Sequence, residues 1–142
     1  MKTEDNAAPD CMIFLLSKAY QKGHGLVKKR LLQYGLTNIQ YVILEALWQM
    51  KGDGITAVEL GAILSIDKST LSGVLERMVE GGWIEKQPDE KDRRAIRVFP
   101  AEKALHMKEI LQQERQAANE ELLLRFTIEE KVLFRRFLMD LV

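Results

Sequence analysis

The chain has 142 residues, 46% of them hydrophobic and 30% charged, which is material for one compact domain rather than two independent ones. No apolar run approaches the ~20 residues of a membrane-spanning helix. The polar, acidic start Met1-Lys2-Thr3-Glu4-Asp5-Asn6 lacks the apolar stretch of a secretion signal, so a cytoplasmic protein with no membrane partner is expected. One cysteine and two histidines exclude an intrachain disulfide and supply no ligand set for structural zinc, and neither a metal nor a cofactor is expected.

Lysine plus arginine and aspartate plus glutamate balance at 21 each, so bulk charge is silent about polyanions. The distribution says more. Residues 11–44 hold five bases (Lys18, Lys22, Lys28, Lys29, Arg30) and no acid, whereas residues 101–142 hold eight acids against seven bases. Such segregation suits one polyanion-facing surface on a neutral molecule, and equally a helix whose basic face is merely solvated.

In chain order, residues 10–34 are predicted as a long helix closed by Gly35, the residue type that best takes the left-handed exit conformation. Its interior Gly23-His24-Gly25 costs about 2 kcal/mol relative to alanines and marks a bend or a close approach by a neighbour. Three capping boxes then announce helix starts: Thr37-Asn38-Ile39-Gln40, Thr56-Ala57-Val58-Glu59 and Thr127-Ile128-Glu129-Glu130. Each precedes apolar residues at helical spacing. Between Gly82 and Pro100 the period becomes alternating, and residues 83–87 and 95–99 read as two strands of a hairpin, expected to be the only β element. After Pro100, taken as the first helical residue, Ala104, Leu105, Met107, Leu111, Ala118 and Leu122 predict a second long helix running to Phe126. Pro9, Pro88 and Pro100 all read as punctuation at helix ends.

The most specific signal lies in residues 56–82. A short helix, Ala57 to Leu64, is followed by the break Ser65-Ile66-Asp67 and by a second helix with Leu71, Val74, Leu75 and Met78 on one face. Gly61 and Ala62 are small enough to let the two helices cross closely. The opposite face of the second helix carries Lys68, Ser69, Thr70, Ser72, Gly73, Glu76 and Arg77: small hydroxyls near its start, which allow insertion in a major groove, and cations that reach guanines or phosphates. The hairpin then becomes a wing. Lys91, Arg93 and Arg94 at its tip and Arg97 on the returning strand suit a narrow, negative minor groove, and Asp92 is placed to orient the Arg94 guanidinium.

These stretches resemble the MarR family of bacterial transcription regulators. The resemblance rests on residues 36–44, 56–61 and 67–72, on the run 75–84 and on Asp92-Arg93-Arg94, similar to the family's D-x-R wing motif; it extends over about residues 11–140. It implies a mainly α fold with a β-hairpin wing, a winged helix-turn-helix over residues 36–99 and a long-helix dimerisation lobe over residues 1–35 and 100–142. It implies a homodimer on double-stranded DNA, usually a repressor released by a small aromatic acid or phenolic effector. The apolar surplus of residues 101–142, with Leu122, Leu123, Phe126, Phe134, Phe137 and Leu141, independently asks for a partner surface. A two-fold dimer would set its recognition helices ~34 Å apart and read a pseudo-palindrome. The family's usual Leu-Thr-x-x-Gly after the wing is replaced here by Pro100-Ala101-Glu102-Lys103-Ala104.

For an effector the candidates are Tyr20, His24, Tyr41, Trp48 and Met107, each of which reads equally as core packing. Cys11 lies near the start of the first helix, as in the family's organic-hydroperoxide sensors, but about two residues before their reactive position, where Ile13 stands; Val27 and Asn38 replace the tyrosines those sensors use. It therefore reads as inert, with a thiol redox sensor as the alternative. A winged helix used for protein contact is the other alternative. No nucleophile–base pair, phosphate-cradling glycine loop or paired metal ligands stand at usable spacing, so no catalytic residue and no enzyme is expected.

Overall fold

The structure, a computed structural model, describes residues 10–142; Pro9 and the segment Met1 to Asn6 lie outside the described residues. Six α-helices and three short strands follow in the order α1 (Met12–Leu31), α2 (Asn38–Gln49), β1 (Ile55–Thr56), α3 (Ala57–Leu64), α4 (Lys68–Glu80), β2 (Ile84–Pro88), β3 (Ile96–Pro100), α5 (Glu102–Leu122) and α6 (Ile128–Leu141). The fold is thus mainly helical with a small antiparallel sheet. Among the described residues no helix is long and apolar enough to cross a membrane.

All three capping boxes form. Thr37, Thr56 and Thr127 each accept a first-turn N–H while Gln40, Glu59 and Glu130 reach back to the cap's own N–H, so two of the donors that a helix start leaves unpaired are satisfied at each site. After α1 a single 3-10 turn, Leu32–Tyr34, leads to Gly35 in the left-handed region at φ 70°. The helix is continuous through Gly23 to Gly25, and the close approach is at Gly23, where an added Cβ would stand 3.3 Å from Leu122 Cδ2.

Three expectations need correction. The hairpin is not the whole sheet: β1 pairs with β3 (Ile55↔Val98, Thr56↔Arg97), giving the order β1-β3-β2. Pro88 and Pro100 end strands rather than helices, in the outermost β2–β3 pairs Pro88↔Ile96 and Ile84↔Pro100; with no N–H to donate, proline is tolerated at a ladder's end. α5 accordingly starts at Glu102, not at Pro100, and it stops at Leu122 rather than Phe126, because Thr127 needs an extended backbone (φ −71°, ψ 167°) to cap α6.

The chain divides into two compact units, residues 31–113 and residues 10–30 with 114–142. In the first, which holds α2, the sheet, α3, α4 and the start of α5, Leu44, Leu47, Leu60, Met78, Ile84 and Val98 are almost wholly buried. The Trp48 indole N–H donates to the Ala104 carbonyl at 3.2 Å, and the Gln112 amide donates to Glu45 at 3.3 Å, so the first turns of α5 belong to this core. In the second unit Val27 and Ala118 are buried and Arg30 pairs with Glu114 and Glu121 at 3.1 and 3.6 Å. α6 buries none of its residues.

Candidate nucleic-acid interface

α3 and α4 are joined by Ser65, whose φ of 55° turns the chain sharply enough to set one helix across the other. Asp67 then caps α4. Its Oδ1 accepts from the Thr70 N–H at 2.8 Å and the Ser69 hydroxyl at 2.9 Å, and its Oδ2 accepts from the Thr70 hydroxyl at 2.9 Å. These donors, the Thr70 N–H first, hold the Asp67 carboxyl at about 2, below its ordinary 3.8, because each favours the charged form.

α4 is split by burial as its sequence pattern predicts. Leu71, Val74, Leu75 and Met78 are buried, while Lys68, Ser69, Thr70, Ser72 and Arg77 are exposed and Gly73 is half-buried. With no side chain of its own, Gly73 leaves the Arg77 guanidinium in ordinary contact distance of where a Cβ would be, 3.6 Å.

The wing closes through Asp89 N–H to the Ala95 carbonyl at 3.0 Å and Ala95 N–H to the Asp92 carbonyl at 2.9 Å. Lys91, Arg93 and Arg94 are exposed at its tip. Asp92 accepts the Arg94 N–H at 3.1 Å and lies 3.5 Å from its Nε, yet the Arg94 side chain remains 94% exposed. Arg97 differs from these cations. Its Nε donates to Asp89 Oδ1 at 2.8 Å, and its NH1 donates to the Asp53 and Gly54 carbonyls at 3.1 and 3.2 Å. Long-range partners tie it into the protein, unlike the cations of the tip.

Gly54 is fixed by that same corner. At φ 71°, an added Cβ would fall 2.7 Å from the Val98 carbonyl oxygen, a distance that no side chain tolerates. The Lys103 ammonium donates to the Gly81 carbonyl at 3.0 Å and lies 4.3 Å from the centre of the Trp83 ring, tying the start of α5 to the entry of β2.

Sequence reasoning missed Asp67, Asp89 and Lys103. Aspartate is as good a cap type as the hydroxyl residues of the capping boxes, and Asp89 stands among several charges of a polar turn in the sequence, yet it is only 8% exposed.

The aromatic candidates fall into two sets. Tyr41 and Trp48 are buried, pack edge to face at 5.9 Å, and have their polar ends satisfied, the Tyr41 hydroxyl by Glu45 at 2.7 Å. They are core side chains. Tyr20 and His24 stack at 5.6 Å in the other unit, and Met107 is half-buried on α5. Cys11 is exposed. A cavity of about 500 Å³ lies within the first unit, among α3, α4, β2 and β3, lined by apolar residues such as Val58, Leu71 and Ile96 together with Lys68, Ser72 and Lys86.

Two crossing helices, the second with a buried apolar face and an exposed polar one, followed directly by a hairpin with a cationic tip, define a winged helix-turn-helix protein. Residues 34–95 match the MarR family. Over 96 residues the chain is 30% identical to an uncharacterized HTH-type transcriptional regulator of Bacillus subtilis, YybA, covering 68% of this chain and 63% of that protein. The reduced form of MarR from Escherichia coli superposes with a TM-score of 0.84 at 26% identity, over 95% of this chain and 98% of that one. A cysteine-to-serine variant of the same regulator, complexed with operator DNA, superposes at 0.82 and 26% identity over 92% and 93%. The chain belongs to the MarR family of winged helix-turn-helix transcription regulators, a family of regulators and not of enzymes. It spans less than two thirds of the length of the first curated relatives that it matches.

Proposed function

We propose that the chain works in the cytoplasm as a homodimeric, sequence-specific repressor that grips a pseudo-palindromic operator and releases it when a small aromatic acid or phenol binds. The observation that carries this reading is the division of α4 into a buried apolar face and an exposed face of hydroxyls and cations, beside a wing whose tip cations are free of the core. Lys68, Ser69, Thr70, Ser72, Gly73 and Arg77 would meet the major groove, and Lys91, Arg93 and Arg94 the minor groove, with Asp92 steadying Arg94. Because Ser69 and Thr70 donate their hydroxyl protons to Asp67, their oxygens face outward as acceptors, suited to the amino groups of cytosine or adenine.

The dimer is supported by apolar surface left in water on the second unit: Ile13 is 80% exposed, Ile128 75% and Phe137 51%. An effector site is supported by the cavity against α4, whose lining joins Lys68 and Lys86 to apolar residues; a ligand wedged there would compete with groove insertion. A thermal-shift screen with salicylate-like acids reports such binding as native-state stabilisation.

The decisive experiment is a salt titration on a duplex that the wild-type chain enriches from a random-sequence pool. Affinity should fall steeply with salt as phosphate contacts release counterions. Arg94→Ala should cost ~1–3 kcal/mol of specific binding with the dimer intact; Ser69→Ala should weaken specific more than non-specific binding, and Arg77→Ala both. Salt-independent binding would point to a protein-contact module instead.

A further inference from the structure

Resting on the DNA reading above, we propose that Asp89 and Arg97 form a latch that positions the wing, acting on DNA through the tip cations and touching none of it themselves. One carboxylate ties the turn of the wing to its returning strand: Oδ2 accepts the Lys91 and Asp92 N–H groups at 3.2 and 3.0 Å, and Oδ1 accepts Arg97 Nε at 2.8 Å. Arg97 stands on the central strand, in register with Thr56 on β1 and Gln87 on β2. From there its remaining fork reaches the Asp53 and Gly54 carbonyls, which end the loop before β1. The tip is thereby fastened to the body of the unit by one guanidinium that joins a carboxylate to two backbone carbonyls, a geometry that a planar fork can satisfy and an ammonium cannot.

The bonds that Arg97 already makes weigh against the simpler role of a phosphate contact. Asp89 holds its Nε directly and the charges of Glu59 and Asp53 also attract it, so a phosphate would have to compete with one bonded carboxylate and two carbonyls. The exposed Arg94 and Arg93 have no such hold. Without the latch the tip loses its anchor, and the ordering that DNA then demands is subtracted from affinity.

Removing a carboxylate from a DNA-facing surface should, by Coulomb's law alone, strengthen binding to a polyanion. The latch demands the opposite. On the duplex enriched by the full wild-type chain, Asp89→Ala should bind about tenfold more weakly, the size of one lost specific contact. Arg97→Lys, which keeps the charge, should lose about as much, and the double variant no more than either alone. Hydroxyl-radical protection of the minor groove flanking each half-site should fade while guanine N7 protection in the major groove persists, a pattern that general destabilisation would not give. Asp89→Asn, which keeps the side chain's shape, should fall between wild type and Asp89→Ala, and guards against a variant that fails to fold. Wild-type or tighter binding by Asp89→Ala, or full binding by Arg97→Lys, overturns the latch while leaving DNA binding intact. A wild-type chain that enriches no duplex overturns the DNA reading itself, and the latch with it.

Discussion

The two units of the chain treat their apolar side chains in opposite ways. In residues 31–113 Leu44 and Leu47 of α2, Leu71, Val74, Leu75 and Met78 of α4 and Val98 of β3 are buried, and the polar ends of Tyr41 and Trp48 find partners inside the unit. In the unit made from the two chain ends, α6 buries nothing, and Met12, Ile13, Val132 and Phe137 are more than half exposed. A helix of 14 residues gains little from its own hydrogen bonds. Its cap is well made, yet a cap contributes only on the order of 1 kcal/mol. The lesson is a division of labour: the winged unit carries its stability within one protomer, whereas the terminal helices await a surface from outside it, which the proposed dimer supplies.

The strongest way to break that comparison is to charge the exposed face. Phe137→Glu should leave the winged unit folded while abolishing the dimer in analytical ultracentrifugation. Operator affinity should drop by 10²–10⁴, the gain that linking two half-site contacts brings. A variant that still sediments as a dimer with unchanged affinity would show that this face is covered by something else.

Matched truncations sharpen the contrast at smaller amplitude. Leu44→Ala, at a fully buried site of α2, should cost about 2–5 kcal/mol in a denaturant titration at any protein concentration. Leu138→Ala, 40% exposed on α6, should cost under about 1 kcal/mol in dilute protein and more as concentration rises into the dimer range. Equal losses at both sites and all concentrations would mean that the second unit is self-sufficient.

Legibility in the sequence followed the range of the interaction. Capping boxes lie within four residues, and all three were readable, as were the four buried positions of α4, since a helix repeats its pattern every turn. The first strand was not: Ile55–Thr56 is too short to alternate, and Thr56 already serves as the cap of α3. The partners of Arg97 were hidden for a different reason. Its carbonyl partners lie 44 and 43 residues earlier, and nothing in the charge pattern of a hairpin tells a solvated arginine from one folded back on the body. The Tyr41–Glu45 bond, one turn apart, was within reach of helical spacing and would have marked that tyrosine as core. The end of α5 has no breaker residue, so only the extended backbone demanded by Thr127 sets it.

The smallest effect expected concerns Asp67, on the stable side of the comparison. Its carboxyl is held at about 2 in the folded chain against an ordinary 3.8. A carboxylate whose folded value is depressed stabilises the fold fully above the unfolded value, and that contribution is lost as pH falls through the folded one. The window therefore lies below about pH 4, where α4 should lose its cap before the threonine-capped helices lose theirs, because hydroxyl acceptors do not titrate there. The side-chain carboxyl resonance of Asp67 should titrate with a midpoint near 2, and Asp67→Ser, which retains an acceptor without an ionisable group, should remove the pH dependence of α4 amide protection over that range. A midpoint near 3.8 would mean that in solution the Thr70 and Ser69 donors do not hold the charged form, and the outward-facing acceptor role given to those two hydroxyls would fall with it.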